Sequence, residues 1–285
     1  MQDNIYPFKD GLYDSANEHD SCGVGFVVNI DNRKTHKIVE QGIEVLERLV
    51  HRGAVGGDLN TGDGAGLMMQ LPHEFLVRVA GEAGIGLPAA GDYSSGIVFL
   101  PLEEGLAKQC VTIVENSVKE AGLEFLGWRD TPCDPSCLGR LAADSMPMIR
   151  HFFVGRTSMA PDYAAFERRL YLARRCAEKA AAEIAGASKT FYIPSLSSKT
   201  MIYKGLFTAS QLPKFYPDLL APDMKSAFAL IHQRYSTNTF PTWQLAQPFR
   251  FLAHNGEINT LRGNINQMKA REKSLQSDLF GDDLS

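Results

Sequence analysis

Hydrophobic positions along the chain fall into short apolar runs separated by longer amphipathic stretches. Residues 23–30 (GVGFVVNI) are apolar and β-branched over the length of one strand, and predict a buried strand. Residues 37–50 place Val39, Ile43, Leu46 and Val50 at spacings of 4, 3 and 4, one face of an amphipathic helix. A glycine-dense stretch from Gly53 to Gly66 leads into a strand at 67–71. Pro72 then opens a helix over 72–80, because the first helical turn leaves its N–H groups unpaired in any case. Further strands are predicted at 97–100, 123–128 and 148–154, with a helix over 103–121 and a loop carrying Pro132, Pro135 and Pro147.

The clearest helix is 163–184, where Tyr163, Phe166, Leu170, Ala173, Ala177, Ala180 and Ile184 share one stripe. Its basic residues lie largely off that stripe. Residues 191–197 and 201–207 predict two neighbouring strands, 227–234 and 249–254 two more, and 261–275 a closing helix. Strands outnumber helices and often follow one another directly. That favours layered α and β structure with hairpins over a regular βαβ alternation.

Composition sharpens this picture. The chain has 285 residues, 44% hydrophobic and 22% charged, which is globular and excludes a mostly disordered or fibrous protein. A net charge of −4 argues against a general nucleic-acid binder. The longest stretch without a formal charge, 235–249, contains Ser, Thr, Asn, Gln and two prolines, so no membrane span is expected. Five cysteines without framework spacing favour a reducing compartment, and hence the cytoplasm. The charge itself is concentrated. Asp3, Asp10, Asp14, Glu18 and Asp20 face Lys9 alone, so residues 1–21 hold the whole net charge of −4. They are either a frayed acidic terminus or a leader that is removed.

Candidate chemistry begins where that acidic segment ends. Cys22 stands at the start of the first strand, inside Ser21-Cys22-Gly23-Val24-Gly25. It is either a small buried hydrophobe or, after cleavage before it, an N-terminal nucleophile. In the second case its own α-amine, with a pKa of about 7.7–8.0, can take the thiol proton near neutrality. His232-Gln233-Arg234-Tyr235-Ser236-Thr237 ends an apolar run and puts Arg234 at a strand tip. It is a carboxylate clamp or a structural ion-pair partner there. His254-Asn255-Gly256-Glu257 also ends an apolar run. Asn-Gly is a turn signal, but the Asn amide and the Gly N–H can also point two donors at a developing oxyanion. The 61–66 run Thr-Gly-Asp-Gly-Ala-Gly has no following Lys-Ser/Thr and enters a strand, so it is not a phosphate loop. Cys133 and Cys137 lack a second pair and make a weak metal signal; Cys110 and Cys176 fall in helical patterns and are expected in the core.

Together these motifs resemble the N-terminal class II glutamine amidotransferase domain of the glutamate synthase family, over essentially the whole chain. Cys22-Gly23-Val24-Gly25 is similar to the start of the mature family chain. His232 to Thr237 resembles its H-x-R-x-x-T substrate segment, and His254-Asn255-Gly256-Glu257-Ile258 its oxyanion motif. The resemblance implies an α+β, four-layer αββα N-terminal-nucleophile hydrolase fold, with two antiparallel sheets between helical layers. It implies residues 1–21 as a propeptide and 22–285 as the amidotransferase domain, C-terminally incomplete. Cys22 would attack the side-chain amide of L-glutamine, Asn255 and Gly256 would hold the oxyanion, and Arg234 with Thr237 would bind the α-carboxylate. Arg52 would steady the Cys22 end from behind. The family's acidic residue for the glutamine α-amino group has no match among Asp278, Asp282 and Asp283.

No cofactor is expected on this segment. FMN and a 3Fe–4S cluster are implied for a longer parent, an NADPH-linked oxidoreductase that would add the ammonia to 2-oxoglutarate with the help of a small NADPH-oxidising flavoprotein subunit. Residues 1–285 carry no determinant that separates NADPH from NADH or ferredoxin. The alternative activity is that of another N-terminal-nucleophile hydrolase, or of a Cys–His amidohydrolase with His232 or His254 as base.

Overall fold

The computed structural model describes residues 23–236, 239–256 and 260–281. Among them are strands β1 (Val24–Val28), β2 (Ala65–Gln70), β3 (Tyr93–Leu100), β4 (Glu124–Asp130), β5 (Met148–Gly155), β6 (Tyr192–Ser197), β7 (Thr200–Gly205) and β8 (Phe228–Gln233). They form two four-stranded sheets, ordered β1-β8-β2-β7 and β4-β5-β3-β6. Every neighbouring pair is antiparallel. The helices are α1 (His36–Arg48), α2 (His73–Glu82), α3 (Glu104–Glu120), α4 (Arg140–Asp144), α5 (Tyr163–Ala182), α6 (Leu212–Phe215) and α7 (Leu261–Glu272).

Two apolar cores hold these elements together. The first joins α1 and α2 to residues of both sheets, among them Leu67, Met69, Tyr203 and Ile231 of one and Ile97, Phe99 and Phe153 of the other. The second lies between the remaining face of the β4-β5-β3-β6 sheet (Val98, Phe152, Val154) and helices α3 and α5 (Val114, Val118, Phe166, Leu170). This is the α+β arrangement that the motifs imply: two antiparallel sheets with helices packed around them. Side chains cap the two long helices. The Glu103 carboxylate accepts the N–H groups of Gly105 and Leu106, and Asp162 accepts that of Ala165.

A buried polar cluster ties the sheets to each other. Arg129 on β4 meets Asp218 through two hydrogen bonds of 2.8 Å, and the Tyr203 hydroxyl on β7 donates to the same carboxylate at 3.0 Å. Arg129 also reaches His151 Nδ1 on β5 at 3.1 Å. Burial, with Arg129 adding to it, pushes the His151 imidazole down to about 3.

Several expectations need correction. β1 is not buried: Phe26 and Val28 are 72% and 52% exposed, because β1 is an outermost strand of its sheet. Residues 249–254 form no strand, only an isolated bridge between Phe249 and Leu252. The strands at 191–197 and 201–207 follow each other in sequence but enter different sheets, as β6 and β7. On α5, Tyr163 and Ala180 face outward, while Ala181 and Arg174 are buried. Arg174 is tolerated there because it pairs with Glu178 at 2.7 Å. Cys176 is exposed, whereas Cys110 is buried as expected.

Candidate active site

The register of the first sheet brings three sequence motifs to one end. β1 and β8 run antiparallel with Val24 opposite His232, and β8 and β2 with Ala65 opposite Gln233. The starts of β1 and β2 therefore meet the end of β8, where Arg234 follows. The Gln233 N–H donates to the Gly23 carbonyl at 2.7 Å, and the Arg234 N–H to the Gly64 carbonyl at 2.8 Å. Cys22 itself lies outside the described residues, which begin at Gly23, as does Thr237. A Cβ on Gly23 would come within 2.1 Å of the Gln233 carbonyl oxygen and 3.5 Å of the Asn255 side-chain amide. Only glycine lets the chain approach the Gln233 carbonyl so closely.

Asn255 reaches this point from the far side. Its side-chain amide is wedged between the Gly23 N–H and His232 Nε2. The orientation that satisfies both neighbours has its oxygen accepting from Gly23 and its nitrogen donating to His232 Nε2 at 2.7 Å and to the His254 carbonyl at 3.3 Å, so a substrate oxygen would have to compete for that nitrogen. His232 is 2% exposed, and burial moves its imidazole below the ordinary histidine range. Its Nε2 also stands 3.0 Å from the His254 carbonyl, so the ring packs between that carbonyl and Asn255 and orients the amide. With Nε2 spent on Asn255, the geometry gives no support to His232 as the base of a Cys–His pair. The Gly256 N–H, the other expected oxyanion donor, bonds to His254 Nδ1 at 3.2 Å. A substrate oxygen would have to compete with that ring for it.

Arg234 is half-buried. Its Nη2 donates to the Thr239 hydroxyl at 2.8 Å, and Nη1 is buried with no hydrogen-bond partner among the described residues. Desolvation lowers its pKa, and the charge of Asp63 opposes that shift. Asp63 is 6% exposed and also accepts the Ser236 N–H at 2.6 Å. Arg52 closes a short helical turn, Val50–Arg52. The next residue, Gly53, lies against the Gln233 side chain.

Of the residues the sequence singles out, Gly23, Arg234 and Asn255 meet at this end of the sheet; Asp63, Thr239, Lys204 and Gln247 around them were missed. Lys204 left a signal, a lone lysine in the apolar run 201–207; Gln247 left none. A cleft of about 530 Å³ lined by Lys34, His73, Tyr93 and Lys199 is elsewhere. It lies by Gln70, at the opposite end of β2 from the site.

Cys133 and Cys137 are free thiols, and burial pushes Cys133 up to about 12. The pair does not present two thiolates. Among the described residues no group of three His, Cys, Asp or Glu side chains is placed to hold a metal ion. Nor is any described helix long and apolar enough to cross a membrane.

Residues 22–285 match the family model of the glutamine amidotransferases class-II. The glutamate synthase [NADPH] large chain of Bacillus subtilis (strain 168) is 44% identical over 285 residues, all of this chain and 18% of that protein. Its counterpart in Azospirillum brasilense is 45% identical over 274 residues, 94% of this chain and 18% of that one. The ferredoxin-dependent glutamate synthase 2, chloroplastic, of Arabidopsis thaliana is 42% identical over 269 residues, 94% of this chain and 16% of that one. The chain spans less than a fifth of the length of these curated relatives. With the sheet register and the Gly23–Asn255–Arg234 cluster in view, the match over 22–285 establishes that the chain belongs to the class II glutamine amidotransferases.

Proposed function

We propose that this chain is the glutaminase part of a glutamate synthase, with Cys22 as its N-terminal nucleophile once residues 1–21 are removed. The observation that carries the reading is the position of Gly23, pinned between the end of β8 and the Asn255 amide. Gly23 is the residue that follows Cys22 in the chain, and it meets Asn255, the candidate oxyanion donor, and Gln233, the residue before the candidate carboxylate clamp. The family match beginning at residue 22 supports the same boundary.

The chemistry follows from these groups. The α-amine of Cys22 takes the thiol proton, and the thiolate adds to the side-chain carbonyl of glutamine. The Asn255 amide and the Gly256 N–H stabilise the oxygen that becomes negative. The amine returns the proton to the leaving nitrogen, so ammonia departs and a glutamyl thioester remains. Water hydrolyses the thioester to glutamate and frees the thiol. Arg234, with its unspent Nη1, holds the α-carboxylate, assisted by Thr237; Arg52 steadies the Cys22 end.

In the longer parent the ammonia would be added to 2-oxoglutarate and the product reduced to a second glutamate, in the cytoplasm, with electrons from NADPH delivered by a small flavoprotein subunit. FMN and a 3Fe–4S cluster would serve that step. The described residues offer no donor set that fits a cluster. The direct test is labelling with an alkylating glutamine analogue followed by peptide mapping. The reading expects label on Cys22, blocked by excess glutamine. Label elsewhere, or none, overturns it.

A further inference from the structure

Lys204 on β7 is 1% exposed, and burial drives its pKa well below the ordinary lysine value. A buried amine is tolerated only where its donors are filled. Its Nζ donates to the carbonyls of Gln244 at 2.8 Å and Ala246 at 2.7 Å, and stands 4.6 Å from the centre of the Tyr192 ring. The next residue, Gln247, is also buried. Its side-chain amide makes two hydrogen bonds to a single residue. The oxygen accepts the His254 N–H at 2.9 Å, and the nitrogen donates to the His254 carbonyl at 3.0 Å. Gly66 makes room for this approach: a Cβ there would lie 2.5 Å from the Gln247 carbonyl oxygen and 2.7 Å from Lys204 Cβ.

Residues 253–256 belong to no strand, so no ladder of backbone hydrogen bonds fixes them. The Gln247 clip takes that place, immediately before Asn255 and Gly256. We propose that Gln247, anchored through Lys204, is a positioning residue that sets where the Asn255 and Gly256 donors stand in the amidase reaction. This rests on the oxyanion reading given above.

The test uses the full-length protein. Gln247→Met keeps the side chain's length and removes both hydrogen bonds. It should lower kcat about 10- to 100-fold, less than the loss for a missing oxyanion donor because the donors are displaced and not removed, and leave KM for glutamine near its wild-type value. An aldehyde analogue of glutamine forms a tetrahedral adduct whose oxygen needs the same donors. Its inhibition should weaken in parallel with kcat, while inhibition by glutamate stays unchanged. Gln247→Glu keeps the acceptor for the His254 N–H and should recover part of kcat. Wild-type kcat in Gln247→Met overturns the inference. So does a uniform loss in kcat, KM and both inhibitors that tracks the folded fraction measured by thermal melting. Asn255→Ala, run beside it, separates the two claims. If Asn255→Ala is impaired and Gln247→Met is not, the positioning role alone fails. If Asn255→Ala is unimpaired, the oxyanion reading fails and takes the inference with it.

Discussion

Arg234→Met removes a cation whose Nη1 is buried and has no hydrogen-bond partner among the described residues. Nη2 is already engaged with Thr239 at 2.8 Å, so a carboxylate arriving there gains one clean charged hydrogen bond, from Nη1. Such a bond contributes about 1.5–3 kcal/mol. At 1.4 kcal/mol per tenfold, KM for glutamine should rise about 10- to 150-fold. The α-carboxylate is remote from the reacting amide, so kcat should change far less. Desolvation does not spoil this, because an arginine keeps its proton at any ordinary pH and Asp63 supports the charge. The assay is steady-state ammonia release from glutamine and from glutamine whose α-carboxylate is amidated. Wild type should lose as much on the amidated substrate as the variant loses on glutamine, and the variant should lose nothing more, a closed double-mutant cycle. An unchanged KM in Arg234→Met refutes the clamp. So does a variant that still discriminates fully against the amidated substrate.

Gly23→Ala would push a Cβ to 2.1 Å from the Gln233 carbonyl, so the start of β1 must shift away from the end of β8 and out of its place beside Asn255. Glutaminase activity should fall about 100-fold or more, and near-wild-type activity would show that this approach does not matter. His151 is depressed to about 3 in the fold from an ordinary 6.5. Its stabilising contribution is complete above 6.5 and is lost as pH falls towards 3, by up to about 1.4 kcal/mol per pH unit. Urea unfolding at pH 7 and pH 5 should show a smaller drop in His151→Phe than in wild type; equal drops contradict the assignment. Asp218→Asn leaves Arg129 buried without its counter-charge and should destabilise by about 3–5 kcal/mol in the same assay, against less than about 1 kcal/mol if the pair were unimportant.

Much of this was legible in the sequence because it is written in local pattern. Glycines, an arginine at a strand tip and an Asn-Gly pair each carry a local physical reason, and the antiparallel register does the rest. What was not legible depends on partners distant in sequence. Residues 23–30 look buried because a run of valines does not say whether a strand ends up outermost. Residues 249–254 look like a strand, but the side chains of Gln247 and Lys204 hold the adjoining segment where a ladder was expected. Tyr163 and Ala180 of the predicted stripe face outward on α5, where Ala181 and Arg174 are buried instead, Arg174 in a pair with Glu178. Asp63 was hidden among the glycines of 61–66, and only the fold shows it opposite Arg234.

The account depends most on Cys22 being the first residue of the working enzyme, since only then do nucleophile and base belong to one residue. N-terminal mass analysis of active protein purified from its native host tests this directly. The account predicts that residues 1–21 are gone and that the chain begins at Cys22. Fully active enzyme that retains an intact Met1 would contradict it.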